Sequence, residues 1–305
     1  MTSKPIFPGL LMLLFAFSAL PVLAQQDEDV RGAFMTTRPK TTDKGNTPPA
    51  KRTHRRPKPT PGSTPGPVSG GATTSGASKK GLPRMGLGLT LFMRDSNGLA
   101  VRTDPTHAFR KGDHVRFLLE TNTDGYLYIF NTTNGGPATM IYPDQELDEA
   151  GNYIQAHVPF EIPSSLSAEE RLRWLTFDQY PGAEKLYFVF TREPLAGAPI
   201  EDDLISFCRE NAGKCPWHPS SELWAQIQNE LSGAAQTSKA TGVGVSQTSK
   251  EHRAATRGIG LNRDDPEPSL IMLTASSSKA ILVTTVELVH NALSKLDSEF
   301  EEVQP

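Results

Sequence analysis

Short apolar segments separated by turn signals run from about residue 85 to residue 194 and limit the folds open to this chain. The first segment alternates from Leu87 to Met93 and then reaches Asn97-Gly98, the strongest short-range signal for a β-hairpin. The apolar run from Leu186 to Phe190 is typical of a central strand covered on both faces. This pattern predicts a mainly β fold over 85–194, an antiparallel β-sandwich or a partly open barrel with a small helical subregion.

Two further strands are predicted on either side of the turn Asp124-Gly125. Apolar residues alternate over positions 115–119 before the turn, and an aromatic-rich run occupies positions 126–130 after it. We expect these two strands to pair antiparallel, because consecutive strands joined by a short turn usually lie side by side. A third strand, from Thr139 to Tyr142, is expected to continue the meander and to end at Pro143.

The periodicity changes in the last third of the chain. Apolar residues recur at helical spacing within residues 195–232, which predicts a helical segment. Residues 233–266 begin with a stretch rich in Ser, Thr, Gly and Ala and are predicted to form a mobile loop. Residues 267–305 are predicted to form a late β-hairpin, from Leu270–Leu273 and Ala280–Leu288, followed by a C-terminal amphipathic helix.

The N-terminal residues have the features of a cleaved bacterial signal peptide. Lys4 precedes an apolar run of about a dozen residues, and Val22-Leu23-Ala24 places small residues at a cleavage site after Ala24. The alternative is an uncleaved anchor, but a membrane-spanning helix needs about 20 apolar residues. The sequence therefore predicts residues 1–24 as a signal peptide, no transmembrane segment after cleavage, and a periplasmic or secreted protein.

Residues 25–84 are predicted to form a disordered basic linker rich in Pro, Thr and Gly. From Arg38 to Lys80 the chain has ten basic residues and one acidic residue, although the whole protein has a net charge of −3. Such a basic segment either contacts an anionic polymer or simply keeps the linker solvated. Nucleic acid is not expected as a partner of an exported protein. The proposed polymer contacts are Arg52, Arg55, Arg56 and Lys58.

Cys208 and Cys215 are the two cysteines of the chain. In an oxidising compartment a disulfide between them is favoured over two free thiols. A redox site is disfavoured because their spacing is not the C-x-x-C of disulfide oxidoreductases.

Motifs of common catalytic sites are absent from the sequence. It contains no G-x-S-x-G nucleophile elbow, no H-E-x-x-H and no P-loop. Gly86-Leu87-Gly88 and Gly242-Val243-Gly244 each supply only part of a phosphate-binding fingerprint. The seven histidines are scattered, with no pair at a spacing that aims two imidazoles at one ion. We therefore predict no catalytic residue, cofactor or metal site.

Aromatic residues on the predicted strands have two interpretations. They form part of the core, or several of them lie on an exposed sheet face that binds a peptide or a polymer. Exposure of Tyr126 and Tyr128 would distinguish the two. The candidate binding face consists of Tyr126, Tyr128, Tyr142 and Tyr187.

Four segments resemble a known bacterial family. They are Phe109–Phe117 with its Gly-Asp turn, Asp124–Asn131 with its Gly-Tyr-Leu-Tyr strand, Met140–Pro143 and Leu186–Val189. Because of these four segments, the region from about residue 85 to residue 194 resembles the domain-of-unknown-function family 4384. The resemblance implies an accessory unit that accompanies peptidase-like, kinase or repeat domains. No reaction is assigned to the family, so it transfers no functional residue, and this chain lacks a recognisable catalytic companion.

Together these features favour an exported, non-catalytic accessory or binding module of the bacterial envelope that recognises a protein or a polymer. One alternative is a structural protein tethered to anionic envelope polymers by the basic linker. The other is a hydrolase whose site is assembled from residues that are distant in sequence.

Overall fold

The computed structural model describes residues 29–40, 82–144, 151–199, 202–211, 213–231, 235–240 and 242–291. These residues form two β-sheets packed face to face, with helices on the outer face of each sheet. The fold is mainly β and the prediction of a sandwich with a small helical part is confirmed. The predicted signal peptide and the four candidate polymer-binding residues lie outside the described residues.

Within the described residues, the first sheet contains seven strands. Its order is β11-β12-β1-β4-β8, with β2 beside β1 and β9 beside β4. The strands are β1 Gly86–Arg94, β2 Ala100–Thr103, β4 His114–Thr121, β8 Phe160–Ile162, β9 Leu175–Thr176, β11 Gln236–Lys239 and β12 Leu270–Leu273.

The second sheet contains six strands in the described part of the chain. Its order is β3-β13-β10-β5-β6, with β7 beside β5, and only the short β3–β13 pair is parallel. The strands are β3 Ala108–Phe109, β5 Gly125–Thr133, β6 Thr139–Tyr142, β7 Tyr153–Ile154, β10 Gly182–Thr191 and β13 Ile281–His290.

Several predicted pairings are confirmed. β1 and β2 form the hairpin predicted at Asn97-Gly98, and Gly98 has φ of 79°, which the absence of a side chain makes accessible. β5 and β6 pair antiparallel. β10 is a central strand, because β13 pairs with it on one side and β5 on the other.

The predicted pairing of β4 with β5 is wrong, because the two strands lie in opposite sheets. The turn at Asp124-Gly125 therefore carries the chain from one sheet to the other. Each of the two strands directs one apolar face into the space between the sheets. Gly125 makes this crossing possible, since a Cβ there would lie 2.4 Å from the carbonyl oxygen of Thr191. The predicted late hairpin is wrong for the same reason: β12 pairs with β1 and β11, and β13 pairs with β10 and β3.

The main hydrophobic core fills the space between the two sheets. Phe117 of β4 and Phe188 of β10 meet across it with ring centroids 5.8 Å apart in an edge-to-face arrangement. Every second residue of a strand contributes, as expected for a sheet with one face inward. Buried members include Leu87, Leu89, Leu91, Leu119, Leu127, Ile129, Phe160, Phe190, Met272 and Val286.

Two helices cover the outer face of the second sheet. They are α2, Asp202–Glu210, and α3, Ser221–Leu231, and both lie in the segment that was predicted to be helical. Leu223 and Ile227, one turn apart on α3, are buried against the sheet. A disulfide joins Cys208 of α2 to Cys215, as the sequence predicts.

The outer face of the first sheet is covered by α1, which comprises helical residues 29–35, and by α4, Ser249–Arg257. Val30 and Phe34 of α1 are fully buried against Ile271 and Leu273. The prediction that residues 25–84 form a disordered linker is therefore wrong for residues 29–40. Val30 and Phe34 are four positions apart, so they lie on one side of α1 and pack against the outer face of the first sheet.

The prediction of a mobile loop over 233–266 is also wrong, since this segment contains β11 and α4. Local signals define α4: Thr248 and Glu251 form a capping box, and Gly258 ends the helix with φ of 62°. Ala254 and Ala255 bury the inner face of the helix. The C-terminal helix was predicted to begin at Val289, but this residue lies in β13. The rest of that prediction, from residue 292 onwards, lies outside the described residues. None of the described helices is long and apolar enough to cross a membrane.

Candidate functional site

The tyrosines predicted as a binding face are buried, so that prediction is wrong. Tyr126 and Tyr128 are 2% and 0% exposed. Together with Tyr187 they lie beneath α2 and α3, where Trp224 packs edge-to-face on Tyr187 with ring centroids 4.7 Å apart. Tyr142 lies in the other layer, the core between the sheets. The aromatic strand faces therefore form the core, which was the other interpretation of the sequence.

A different surface is open and strongly charged. The β1–β2 hairpin, the 3-10 helix Glu170–Arg173 and the first turn of α4 enclose a groove of about 500 Å³. Among the described residues that line it, Glu170 is the only acidic side chain. We call it the cationic groove, and its basic and aromatic lining residues are Arg94, Arg116, Arg173, Trp174, His252 and Arg253.

Arg116 provides a fixed positive charge at the floor of the groove. It projects from the outer face of β4 and is only 5% exposed. Its guanidinium lies over the ring of Trp174, with Cζ 4.2 Å from the ring centroid, a cation–π contact. The Nε atom is 3.8 Å from Oε1 of Glu161 and has no hydrogen-bond partner among the described residues. Burial lowers the pKa of Arg116 and Glu161 raises it, but an arginine remains protonated in proteins.

The arginines at the rim are held by contacts that use only part of each guanidinium. Arg94 Nη2 lies 3.5 Å from Oε1 of Glu170. Arg173 donates from Nε to the carbonyl of Ser167, and Arg253 donates from Nε to the carbonyl of Ser249. A guanidinium has five donors, so each of these arginines can also bind a carboxylate or phosphate.

The groove thus combines charge with a flat surface. The half-buried indole of Trp174 contacts Arg116 and lines the groove together with Arg94, Arg173 and Arg253. Such a set can hold a repeating anionic chain, with arginines on the charges and the indole against a ring or an apolar edge.

The strongest cluster of titratable groups lies elsewhere, beneath α1. Arg38, Glu120 and His157 are 1%, 3% and 5% exposed. Arg38 donates from Nε and Nη2 to the two carboxylate oxygens of Glu120 at 2.8 and 2.6 Å, and His157 Nδ1 lies 2.8 Å from Oε1. Because all three side chains are enclosed, this cluster is closed to a substrate in this structure.

The described part of the chain contains no group of three or more His, Cys, Asp or Glu residues placed to hold a metal ion. Sequence analysis did not identify the cationic groove, because its residues come from β1, β4, the 3-10 helix with the residue after it, and α4. No local motif joins these positions. Their proximity depends on the sheet order and on the docking of α4.

Residues 108–194 match the model of a family described as a domain of unknown function, DUF4384. This segment is a DUF4384 domain. The predicted family is confirmed, although the match begins at residue 108 and not at 85, so β1 and β2 precede it. Comparisons with curated proteins and with solved structures found no match.

The cationic groove lies at the border of the DUF4384 domain. Arg116, Arg173 and Trp174 belong to the matched segment, whereas Arg94 precedes it and Arg253 follows it. The domain also does not form a separate sandwich. Its strands are interleaved with β1, β12 and β13, which complete both sheets. Flanking segments of this chain therefore complete both the fold and the groove.

Proposed function

We propose that this protein is an exported, non-catalytic binding module of the bacterial envelope that recognises an anionic polymer through the cationic groove. The observation that carries the proposal is the groove itself, where four arginines and Trp174 surround an open space with one acidic residue. Arginines bind carboxylates and phosphates well, but their high pKa makes them poor at proton transfer. The predominance of arginine in the groove therefore favours binding over catalysis.

The basic residues predicted to tether the protein lie outside the described residues, so that alternative remains a prediction from sequence. The hydrolase also remains a prediction. Neither has a specific contact in the described residues that favours it over polymer binding.

The groove is tested with two anionic polymers of different chemistry, polygalacturonate and inorganic polyphosphate. Substituting Arg94→Gln together with Arg253→Gln is expected to weaken binding about tenfold, since each partly exposed charge contributes up to about 1 kcal/mol. The affinity of the unmodified protein should fall as salt is raised from 50 to 300 mM, because ions screen exposed charges. Isothermal titration calorimetry on the full chain measures both effects.

The matched control is Arg110→Gln with Arg209→Gln, which removes the same charge from exposed positions outside the groove. This control should bind within about twofold of the unmodified protein, since the net charge is equal but the groove is intact. Trp174→Leu should weaken binding of polygalacturonate more than binding of polyphosphate, which has no ring to stack. Equal loss in the two arginine pairs, or no binding of either polymer, would overturn the proposal.

Export is tested separately. The mature protein recovered from the periplasm or the medium of its bacterial host is expected to begin at Gln25, because the small residues before it fit signal peptidase. Mass spectrometry of the N-terminal peptide measures this. Recovery of the protein only from the cytoplasm, with residues 1–24 attached, would contradict export without affecting the groove.

A further inference from the structure

In the described part of the chain, one edge of the second sheet is open. β13 pairs with β10 along its whole length, but on its other side it pairs only with β3, at Val289 and His290. Within the described residues, no strand pairs with that side of β13 from Ile281 to Leu288. Exposed edges of this kind accept another strand readily, because their backbone donors and acceptors lack partners.

The backbone register shows which groups face this edge. Arg192 N donates to Ala280 O, and these residues are opposite each other when the β10–β13 register is extended by one position. In an antiparallel pair, hydrogen-bonded and non-hydrogen-bonded residues alternate. Thr284 and Val286 therefore bond to β10, whereas the N–H and C=O groups of Thr285 and Glu287 point away from it.

A cavity of about 310 Å³ lies directly beside these backbone groups, between β13 and the first sheet. Thr285 and Glu287 line this cavity. The inward-facing side chains of β13 come from neighbouring residues, Leu282, Val286 and Leu288. Its apolar lining residues are Leu89, Leu91, Leu270, Met272 and Val286. The rest of the lining is mostly polar and includes Arg102, Asp104, Lys239 and the segment Thr103–Thr106 that leads into β3. The volume is within the range of sites that hold small ligands or single side chains.

We propose that this open edge of β13 binds an extended segment of a partner protein as an additional strand, with one apolar side chain of the segment entering the cavity. Backbone hydrogen bonds to Thr285 and Glu287 would provide affinity, and the apolar lining residues would select the side chain. An extended polypeptide satisfies both features at once, whereas a sugar or a lipid chain satisfies only one. The site shares no lining residue with the cationic groove and goes beyond the proposed function.

The probe is an end-capped, fluorescein-labelled peptide, Lys-Thr-Val-Thr-Leu-Thr-Val-Thr-Lys, titrated with the full chain and followed by fluorescence anisotropy. We expect saturable binding. Two further peptides are N-methylated on the backbone between the first and the last Thr. One has the methyl groups at the even positions and the other has them at the odd positions. One of them should bind at least about tenfold more weakly than the other, because only alternate amides of an added strand face β13.

Two protein variants test the location. Thr285→Pro removes the outward-facing amide and leaves the hydrogen bonds to β10 in place, so the protein should fold and lose peptide binding. Thr237→Trp places a large ring at the mouth of the cavity from an exposed position on β11 and should also abolish binding. Thr176→Trp, at an exposed position on β9 of the same sheet, is the matched control and should bind normally.

The result that overturns the proposal is absence of saturable binding to the unmodified chain, which would also follow if another part of the chain occupies the edge. Equal affinity of the two N-methylated peptides, or normal binding by Thr237→Trp, would overturn it as well. If Thr285→Pro does not fold, as judged by circular dichroism, the comparison of Thr237→Trp with Thr176→Trp decides.

Discussion

Replacing Glu120 with glutamine is expected to lower the free energy of unfolding by about 3–5 kcal/mol, because it leaves a buried guanidinium without its counter-charge. Arg38 is fully enclosed, and both its ion-pair hydrogen bonds go to Glu120. Its other donors bind the carbonyls of Asn262, Asp265 and Pro266, which satisfy hydrogen bonds but do not neutralise the charge. Urea unfolding followed by circular dichroism measures the loss.

The matched control is Glu287→Gln on an exposed position of β13, where the change in unfolding free energy should stay within about 0.5 kcal/mol. A loss below about 1 kcal/mol in Glu120→Gln would show that the ion pair does not form in solution.

The same substitution should change the response to acid. Burial alone would raise the pKa of Glu120, but the hydrogen bonds with His157 and Arg38 and the charges of both outweigh it and hold the pKa below 4.5. A carboxylate with a depressed pKa stabilises the fold fully above its unfolded pKa, and this contribution is lost as pH falls through the folded pKa. The stability that Glu120 provides relative to Glu120→Gln should therefore be lost progressively as pH falls below about pH 4.5.

Local patterns in the sequence predicted most of the strands and one hairpin, because alternation and Asn97-Gly98 act over a few residues. The apolar run at Leu186 likewise predicted a central strand, since both of its faces had to be covered. The partners of β4 and β12 could not be predicted in this way. A turn such as Asp124-Gly125 fits a hairpin and a crossing between sheets equally well, and the choice depends on which faces meet in the core.

The candidate site was harder to predict than the fold. Arg116 interrupts the apolar pattern of β4. Its position in the cationic groove depends on Trp174 and on α4, which are far away in sequence. The predicted tyrosine face was wrong because α2 and α3 cover Tyr126, Tyr128 and Tyr187, whereas Tyr142 lies in the core between the sheets. A sequence pattern shows that a face is apolar, but not whether a helix or a ligand covers it.

Phe34→Ala is expected to lower the free energy of unfolding by about 3–5 kcal/mol, the range for deleting a fully buried phenylalanine side chain. β1 is shaped to receive this ring. A Cβ at Gly86 would lie 2.7 Å from Phe34 Cδ2, and one at Gly88 would lie 3.2 Å from Cζ, so the two glycines leave a slot for the ring. The packing of this ring explains why glycines occur at positions 86 and 88, which in the sequence alone matched only part of a phosphate-binding fingerprint. The ring also meets His157 edge-to-face, with centroids 5.8 Å apart.

The control for Phe34→Ala is Leu166→Ala, an apolar residue that is 63% exposed, which should change stability by less than about 0.5 kcal/mol. Differential scanning calorimetry of the two variants and the unmodified protein measures the comparison. Similar small losses in both would mean that α1 is not docked in solution, and the N-terminal boundary of the folded unit would then lie after residue 40. A large loss only in Phe34→Ala would extend the folded unit to residues 29–40, because the energy of this contact is available only to a docked helix.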